Sequence, residues 1–134
     1  MFFLHKRVLT LSQLLAIAAG GAMGAVLRFL MSNGVYRLTG NDFPYGTMAI
    51  NVLGSFVLGV VFVVLLEKLM LSVEWRLGLT VGLIGAFTTF STFSIETLLL
   101  IEEGYLIKAA LNIVLSVALC LCAAWLGMGL GRQV

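Results

Sequence analysis

Residues 85–94 read GAFTTFSTFS, Gly85 to Ser94, and lie inside a run with no Asp, Glu, Lys or Arg from 77 to 95. Glycine, hydroxyls and three phenylalanines spaced by three (Phe87, Phe90, Phe93) interrupt an otherwise apolar span. In hydrocarbon every backbone N–H and C=O needs a partner, so a helix that loosens there is tolerated only against protein or a wet cavity. Broken helices at membrane depth typically mark an ion or substrate position. The segment therefore predicts a membrane helix broken mid-membrane, with a site at the break.

The rest of the chain agrees with that setting. At 61% hydrophobic and 10% charged residues, with a mean hydropathy of +1.14, the 134 residues belong in a bilayer rather than in water. Three more charge-free runs, 8–27, 43–66 and 109–131, are long enough to cross ~30 Å of hydrocarbon at ~20 residues each. The fold expected is a single all-α membrane domain, 1–134, of four transmembrane helices at about 8–32, 44–66, 75–101 and 106–131, the third broken mid-membrane. Connections near 31–43, 67–76 and 102–108 are too short for an extramembrane domain, and Pro44 suits the first turn of the second helix. Lys6 and Arg7 before an apolar run imitate a secretory leader, but the run continues to Leu27, longer than a leader's core, so an uncleaved first span is expected.

Several function classes drop out. A scattered net charge of +2 is no nucleic-acid footprint. Cys120 and Cys122, two apart in an apolar helix, point to different sides and read as packing residues rather than a disulfide or metal pair. With no phosphate-binding loop, no His/Cys cluster and no nucleophile beside a base, the chain is not expected to be an enzyme. Lys and Arg are nearly balanced between the two sides, five (Lys6, Arg7, Lys68, Arg76, Arg132) against three (Arg28, Arg37, Lys108), which permits insertion in either orientation.

Small residues at four-residue spacing, Gly20 and Gly24, Gly78 and Gly82, Gly127 and Gly131, predict seams where helix backbones approach closely. Thr47, Asn51 and Ser55 form a polar stripe on the second helix, and Asn112 and Ser116 another on the fourth. Interhelical hydrogen bonds alone could satisfy both stripes. The third helix shifts the balance. Phe90 and Phe93 share a face, with Ser91, Thr92 and Ser94 beside them, and aromatic edges carry positive potential, so edge-on rings near hydroxyl and amide donors make a weak anion site. Weak binding suits conduction, because an ion must leave as well as enter. Carbonyls freed near Gly85 would instead suit a cation. Glu96, ionisable and close to membrane depth, is a functional candidate by default. Arg28, closing the first apolar run, either snorkels to headgroups or concentrates anions at an entrance.

These stretches resemble the Fluc family of microbial fluoride channels. GGAMGAVLRF (20–29), YGTMAINVLGSFVLG (45–59) and GLIGAFTTFSTFSIE (82–96) are similar to the family's first three helix motifs, and the resemblance covers essentially the whole chain. It implies a multi-pass protein of the bacterial inner membrane, a dual-topology antiparallel homodimer with two fluoride pathways at the subunit interface. By resemblance, Phe90 and Phe93 are the aromatic pair that fluoride passes edge-on, and Asn51 is the pore-lining amide. Thr47 and Ser116 are further polar contacts, and Ser91 and Thr92 extend the polar track. The backbone carbonyls of Gly85 and Thr88 from both subunits would hold a structural Na⁺ that is not transported. Two positions depart from the family pattern: Ala86 stands where a second glycine is frequent, and Asn112 where some members carry an aromatic hydroxyl. Two other readings are a proton-coupled multidrug exporter, for which the first run lacks a membrane-embedded acid, and a non-transporting assembly subunit whose glycine seams pack on another membrane protein.

Overall fold

A computed structural model of the chain describes residues 9–65 and 71–134. Lys6, Arg7 and Lys68 of the charge balance, and the first residues of the leader-like segment, lie outside them. Among the described residues, four helices are long and apolar enough to span a membrane, Leu11–Thr39, Tyr45–Val63, Val73–Glu102 and Leu106–Gln133.

Helix α1 (Leu11–Thr39) starts at a capping box in which the Thr10 hydroxyl accepts from the Gln13 amide and the Gln13 side chain returns to the Thr10 backbone. It runs past residue 32, where the sequence reading ended it. The polar residues taken for a loop instead fold back on the helix: Asn33 Nδ2 donates to the Phe29 carbonyl at 2.9 Å, and Thr39 Oγ1 to the Val35 carbonyl at 2.9 Å. The helix stops at Gly40, whose φ of 79° is the left-handed region that glycine enters freely. Tyr36 is therefore a helical residue. Helix α2 (Tyr45–Val63) follows Pro44, whose missing N–H removes one of the unpaired donors of a first turn.

The third span is composite. Helix α3 (Val73–Leu77) widens into a π-helical stretch (Gly78–Ile84), tightens again in α4 (Gly85–Phe87), breaks, and resumes as α5 (Phe90–Glu102). The break lies at Thr88 and Thr89, both in extended conformation (φ −85°, ψ 159° and φ −151°, ψ 114°), while Gly85 itself is helical (φ −61°, ψ −40°). The interruption thus falls three residues beyond the glycine that first suggested it. Its position follows from Thr89, which caps α5 by accepting the Thr92 amide on Oγ1 at 3.2 Å. Helix α6 (Leu106–Gln133) returns after a turn through Gly104, φ 83°.

The expected glycine seams are helix contacts. A Cβ on Gly20 would run into the carbonyl of Gly78, and one on Gly24 into that of Leu83, so α1 and the π-helical stretch meet backbone to backbone. Helices α2 and α6 meet likewise: a Cβ on Gly127 would run into the Phe56 carbonyl, and one on Gly131 would lie 3.0 Å from the Val60 carbonyl. Close approach leaves a small core around Ile50, Val63, Ile84 and Leu100. Leu11, Leu14, Leu121, Trp125 and many other large apolar side chains face outward, as a lipid-facing surface requires.

Candidate functional site

The break is pinned by one side chain. Asn51 on α2 donates from Nδ2 to the Thr89 carbonyl at 3.0 Å and accepts the Thr89 amide on Oδ1 at 2.8 Å, so a side-chain amide pairs with a peptide as a neighbouring β-strand would. The consequence reaches back one turn. In an uninterrupted helix the Thr89 amide would bond the Gly85 carbonyl, and the Thr92 amide the Thr88 carbonyl. Asn51 takes the first amide and the Thr89 hydroxyl the second. The carbonyls of Gly85 and Thr88 are thereby released, apart from a 3.5 Å approach of Thr88 Oγ1 to the Gly85 oxygen. Thr88 packs close to α2 because position 54 is glycine; a Cβ there would collide with Thr88 Cγ2.

Beside the pin lies a groove of ≈350 Å³ between α2, the break and α6, whose lining includes Asn51, Thr89, Phe90, Phe93, Ser116 and Cys120. The rings of Phe90 and Phe93 are 5.3 Å apart between centroids and tilted by 43°. Phe93 is half-buried, whereas Phe90 is 78% exposed. Asn51 keeps a second Nδ2 hydrogen beyond the one directed at Thr89. Ring edges and an amide N–H in an apolar groove can hold an anion weakly, without a fixed positive charge.

The remaining residues fall into two clusters and an exposed rim. One cluster is Thr47, Tyr36 and Glu96: Glu96 Oε1 accepts from the Tyr36 hydroxyl at 2.8 Å and from Thr47 Oγ1 at 2.9 Å. The other is a directed chain behind the groove. Ser116 Oγ donates to Asn112 Oδ1 (3.3 Å), Asn112 Nδ2 to Thr97 Oγ1 (2.9 Å), and Thr97 Oγ1 to the Phe93 carbonyl (2.7 Å). Asn112 is 1% exposed, joins α6 to α5 and does not line the groove. Ser91 and Thr92 are exposed on the first turn of α5, with Ser91 Oγ 3.2 Å and Thr92 Oγ1 2.9 Å from Thr89 Oγ1. Arg28 sits half-buried inside α1, away from both clusters' hydrogen bonds. Sequence reasoning missed Tyr36, Thr89 and Thr97. Tyr36 fell in an expected loop, and Thr89 looked no different from its neighbouring hydroxyls. Thr97 was legible only as the residue four beyond Phe93.

Comparison with known proteins gives a consistent answer. A family model described as "CrcB-like protein, Camphor Resistance (CrcB)" matches residues 15–128. A Methylococcus capsulatus protein named "Fluoride-specific ion channel FluC" is 55% identical over 121 residues, 90% of this chain and 53% of that protein. Proteins of the same name from Geobacter sulfurreducens and Hydrogenovibrio crunogenus are 49% identical over 124 residues and 50% identical over 121 residues. The alignment covers 92% of this chain and 100% of the Geobacter protein, and 90% and 92% for the Hydrogenovibrio protein. The chain thus spans about half the length of the Methylococcus relative and the whole of the Geobacter one. Four membrane-capable helices, the family match and these identities together make the chain a multi-pass bacterial membrane protein of the CrcB family, to which the Fluc channels belong.

Proposed function

We propose that the chain is a fluoride-selective ion channel that lets F⁻ leave the cytoplasm down its electrochemical gradient and so relieves fluoride toxicity. The observation that carries the reading is the pinned break: Asn51 holds the third span open beside Phe90 and Phe93, which places an amide donor and two ring edges in one groove. No bond is made or broken in the transported ion, and no catalytic chemistry is required. The names of the FluC relatives support the choice of fluoride.

The working form is an antiparallel homodimer. Phe90, Ser91, Thr92 and Gly85 are exposed within a helix that crosses the bilayer, and hydroxyls and free carbonyls facing lipid are costly. A second copy would cover them and complete each groove. The near-balance of Lys and Arg on the two sides removes the usual bias toward one orientation.

The same surface fits a structural Na⁺. The carbonyls of Gly85 and Thr88 have lost the amides that would bond them in a helix, and Gly85 is exposed, so one copy offers two hard oxygen donors and a pair of copies offers four. A bound Na⁺ would supply positive charge that draws the two breaks together. The residues of this chain supply the oxygens and, through Asn51 and Thr89, keep them free. An exporter coupled to protons is the weaker alternative, since the sequence of α1 contains no Asp or Glu and Glu96 is engaged by two hydroxyls.

The reading is tested in a bacterium deprived of its own fluoride export. Expression of this chain, verified in the membrane fraction, is expected to restore growth in fluoride and to lower cytoplasmic fluoride. Membrane-inserted protein without either effect contradicts it.

A further inference from the structure

The buried side-chain hydrogen bonds between α5 and α6 run in one direction, and that direction is fixed from the far end. The Phe93 carbonyl can only accept, so the single hydrogen of the Thr97 hydroxyl, four residues on, goes to it at 2.7 Å. Thr97 Oγ1 must then accept from Asn112, which turns the Nδ2 side of that amide toward α5 at 2.9 Å. Oδ1 is left facing one turn along α6, where Ser116 gives it its only hydrogen at 3.3 Å. All three side chains are buried, and Ser116 is the donor that Oδ1 has among the described residues.

The near end of this chain of bonds is at the groove. Ser116 lines it together with Asn51 and Phe93, whereas Asn112 and Thr97 do not. With its hydrogen committed to Asn112, the Ser116 hydroxyl offers the groove lone pairs only, and lone pairs repel an anion. The tie between α5 and α6 is complete with Asn112 and Thr97, so the bond from Ser116 is not needed to join the helices. At 3.3 Å it is also the longest of the three links, well beyond the ~2.8 Å usual for O–H···O, and the first to yield.

We propose that Asn112 is a positioning residue that tunes how tightly the groove holds fluoride: it keeps the Ser116 hydrogen while the groove is empty, yields it to an arriving ion, and takes it back as the ion leaves. The exchange is a rotation of one O–H about the Cβ–Oγ bond of Ser116, with no covalent bond broken and no heavy atom moved. Fluoride gains a charge-assisted hydrogen bond, stronger than the neutral one it replaces. Asn112 Oδ1 is meanwhile left buried without its donor, which offsets part of that gain. Binding stays weak, and recapture of the hydrogen helps the ion to leave, as conduction requires. Asn112 thus acts on the ion through Ser116 and does not touch it. The proposal rests on the channel reading above.

The test is the fluoride-concentration dependence of flux through the full-length protein in planar bilayers. Asn112→Leu keeps the bulk and releases the Ser116 hydrogen. It is expected to lower the half-saturating fluoride concentration about fivefold, the equivalent of one neutral hydrogen bond, and to lower maximal flux with it because the ion leaves more slowly. Ser116→Ala in the native background removes a donor whose gain is largely offset, and is expected to raise half-saturation only about twofold; in the Asn112→Leu background the same change is expected to raise it about tenfold. Thr97→Val loosens the tie between α5 and α6 without freeing Ser116, so it should lower the melting temperature in detergent and leave half-saturation in place. A conducting wild type whose half-saturation is unmoved by Asn112→Leu overturns the proposal alone, and so does an equal rise on Ser116→Ala with and without Asn112. Should Asn112→Leu not fold, Ser116→Ala by itself decides: a rise of tenfold or more means that the hydrogen was free all along and overturns the proposal. A silent wild type overturns the channel reading, and the role of Asn112 with it.

Discussion

At the scale of single residues, Asn51 and the phenylalanine pair carry the argument. Asn51 bonds both groups of the Thr89 peptide, so Asn51→Asp keeps the acceptor, loses the donor to the Thr89 carbonyl and sets negative charge in the groove. Fluoride flux from liposomes is expected to fall tenfold or more, in the range of roughly 1–3 kcal/mol for a hydrogen bond to a charged or buried group. Unchanged flux removes Asn51 from the pathway. Phe90→Ile and Phe93→Ile keep apolar bulk and abolish the polarised edge, and each should slow fluoride by roughly fivefold while leaving the purified protein folded, because an aromatic electrostatic contact is worth about 1 kcal/mol. Wild-type flux in both variants demotes the rings to packing. The candidates were readable in the sequence because each breaks an apolar pattern. Their partners were not. Nothing local marks Thr89, among several hydroxyls, as the one whose amide Asn51 captures across 38 positions, nor Tyr36 as the phenol that meets Glu96 across 60.

At the scale of elements, the third span shows what a pattern can and cannot fix. The apolar run with hydroxyls foretold a break, and Gly85 drew attention to the wrong residue for it. Glycine permits a break, but Thr89 makes this one by capping α5 while Asn51 removes the helical amide. The π-helical stretch just upstream was invisible, since its wider turn depends on glycine contacts with α1. Helix α1 ran longer than read because Asn33 and Thr39 fold back on its carbonyls. The seams themselves were legible from spacing, and they are testable. Gly127→Ala places a methyl against the Phe56 carbonyl, and Gly24→Ala one against the Leu83 carbonyl. Each is expected to destabilise the folded protein by about 1–3 kcal/mol, seen as a lower melting temperature in detergent. Gly129→Ala, with open space around its Cβ, should be neutral. Equal effects at all three positions contradict the seams.

At the scale of the whole molecule, the expected pairing was never a matter of any one residue. It follows from a chain too short to surround a polar path and from a spanning helix that exposes Phe90, Ser91, Thr92 and Gly85. If the released carbonyls of two copies share Na⁺, replacing Na⁺ by a large organic cation should lower flux and loosen the dimer, as followed by its melting temperature and elution volume. Indifference of both counts against the cation. The most direct measurement is fluoride release from liposomes carrying the purified protein, read with a fluoride electrode after a K⁺ ionophore collapses the potential, with chloride release run in parallel. Rapid fluoride release without chloride release is the predicted result. No fluoride release from a preparation shown to be dimeric, or chloride release at the same rate, contradicts a fluoride-selective channel.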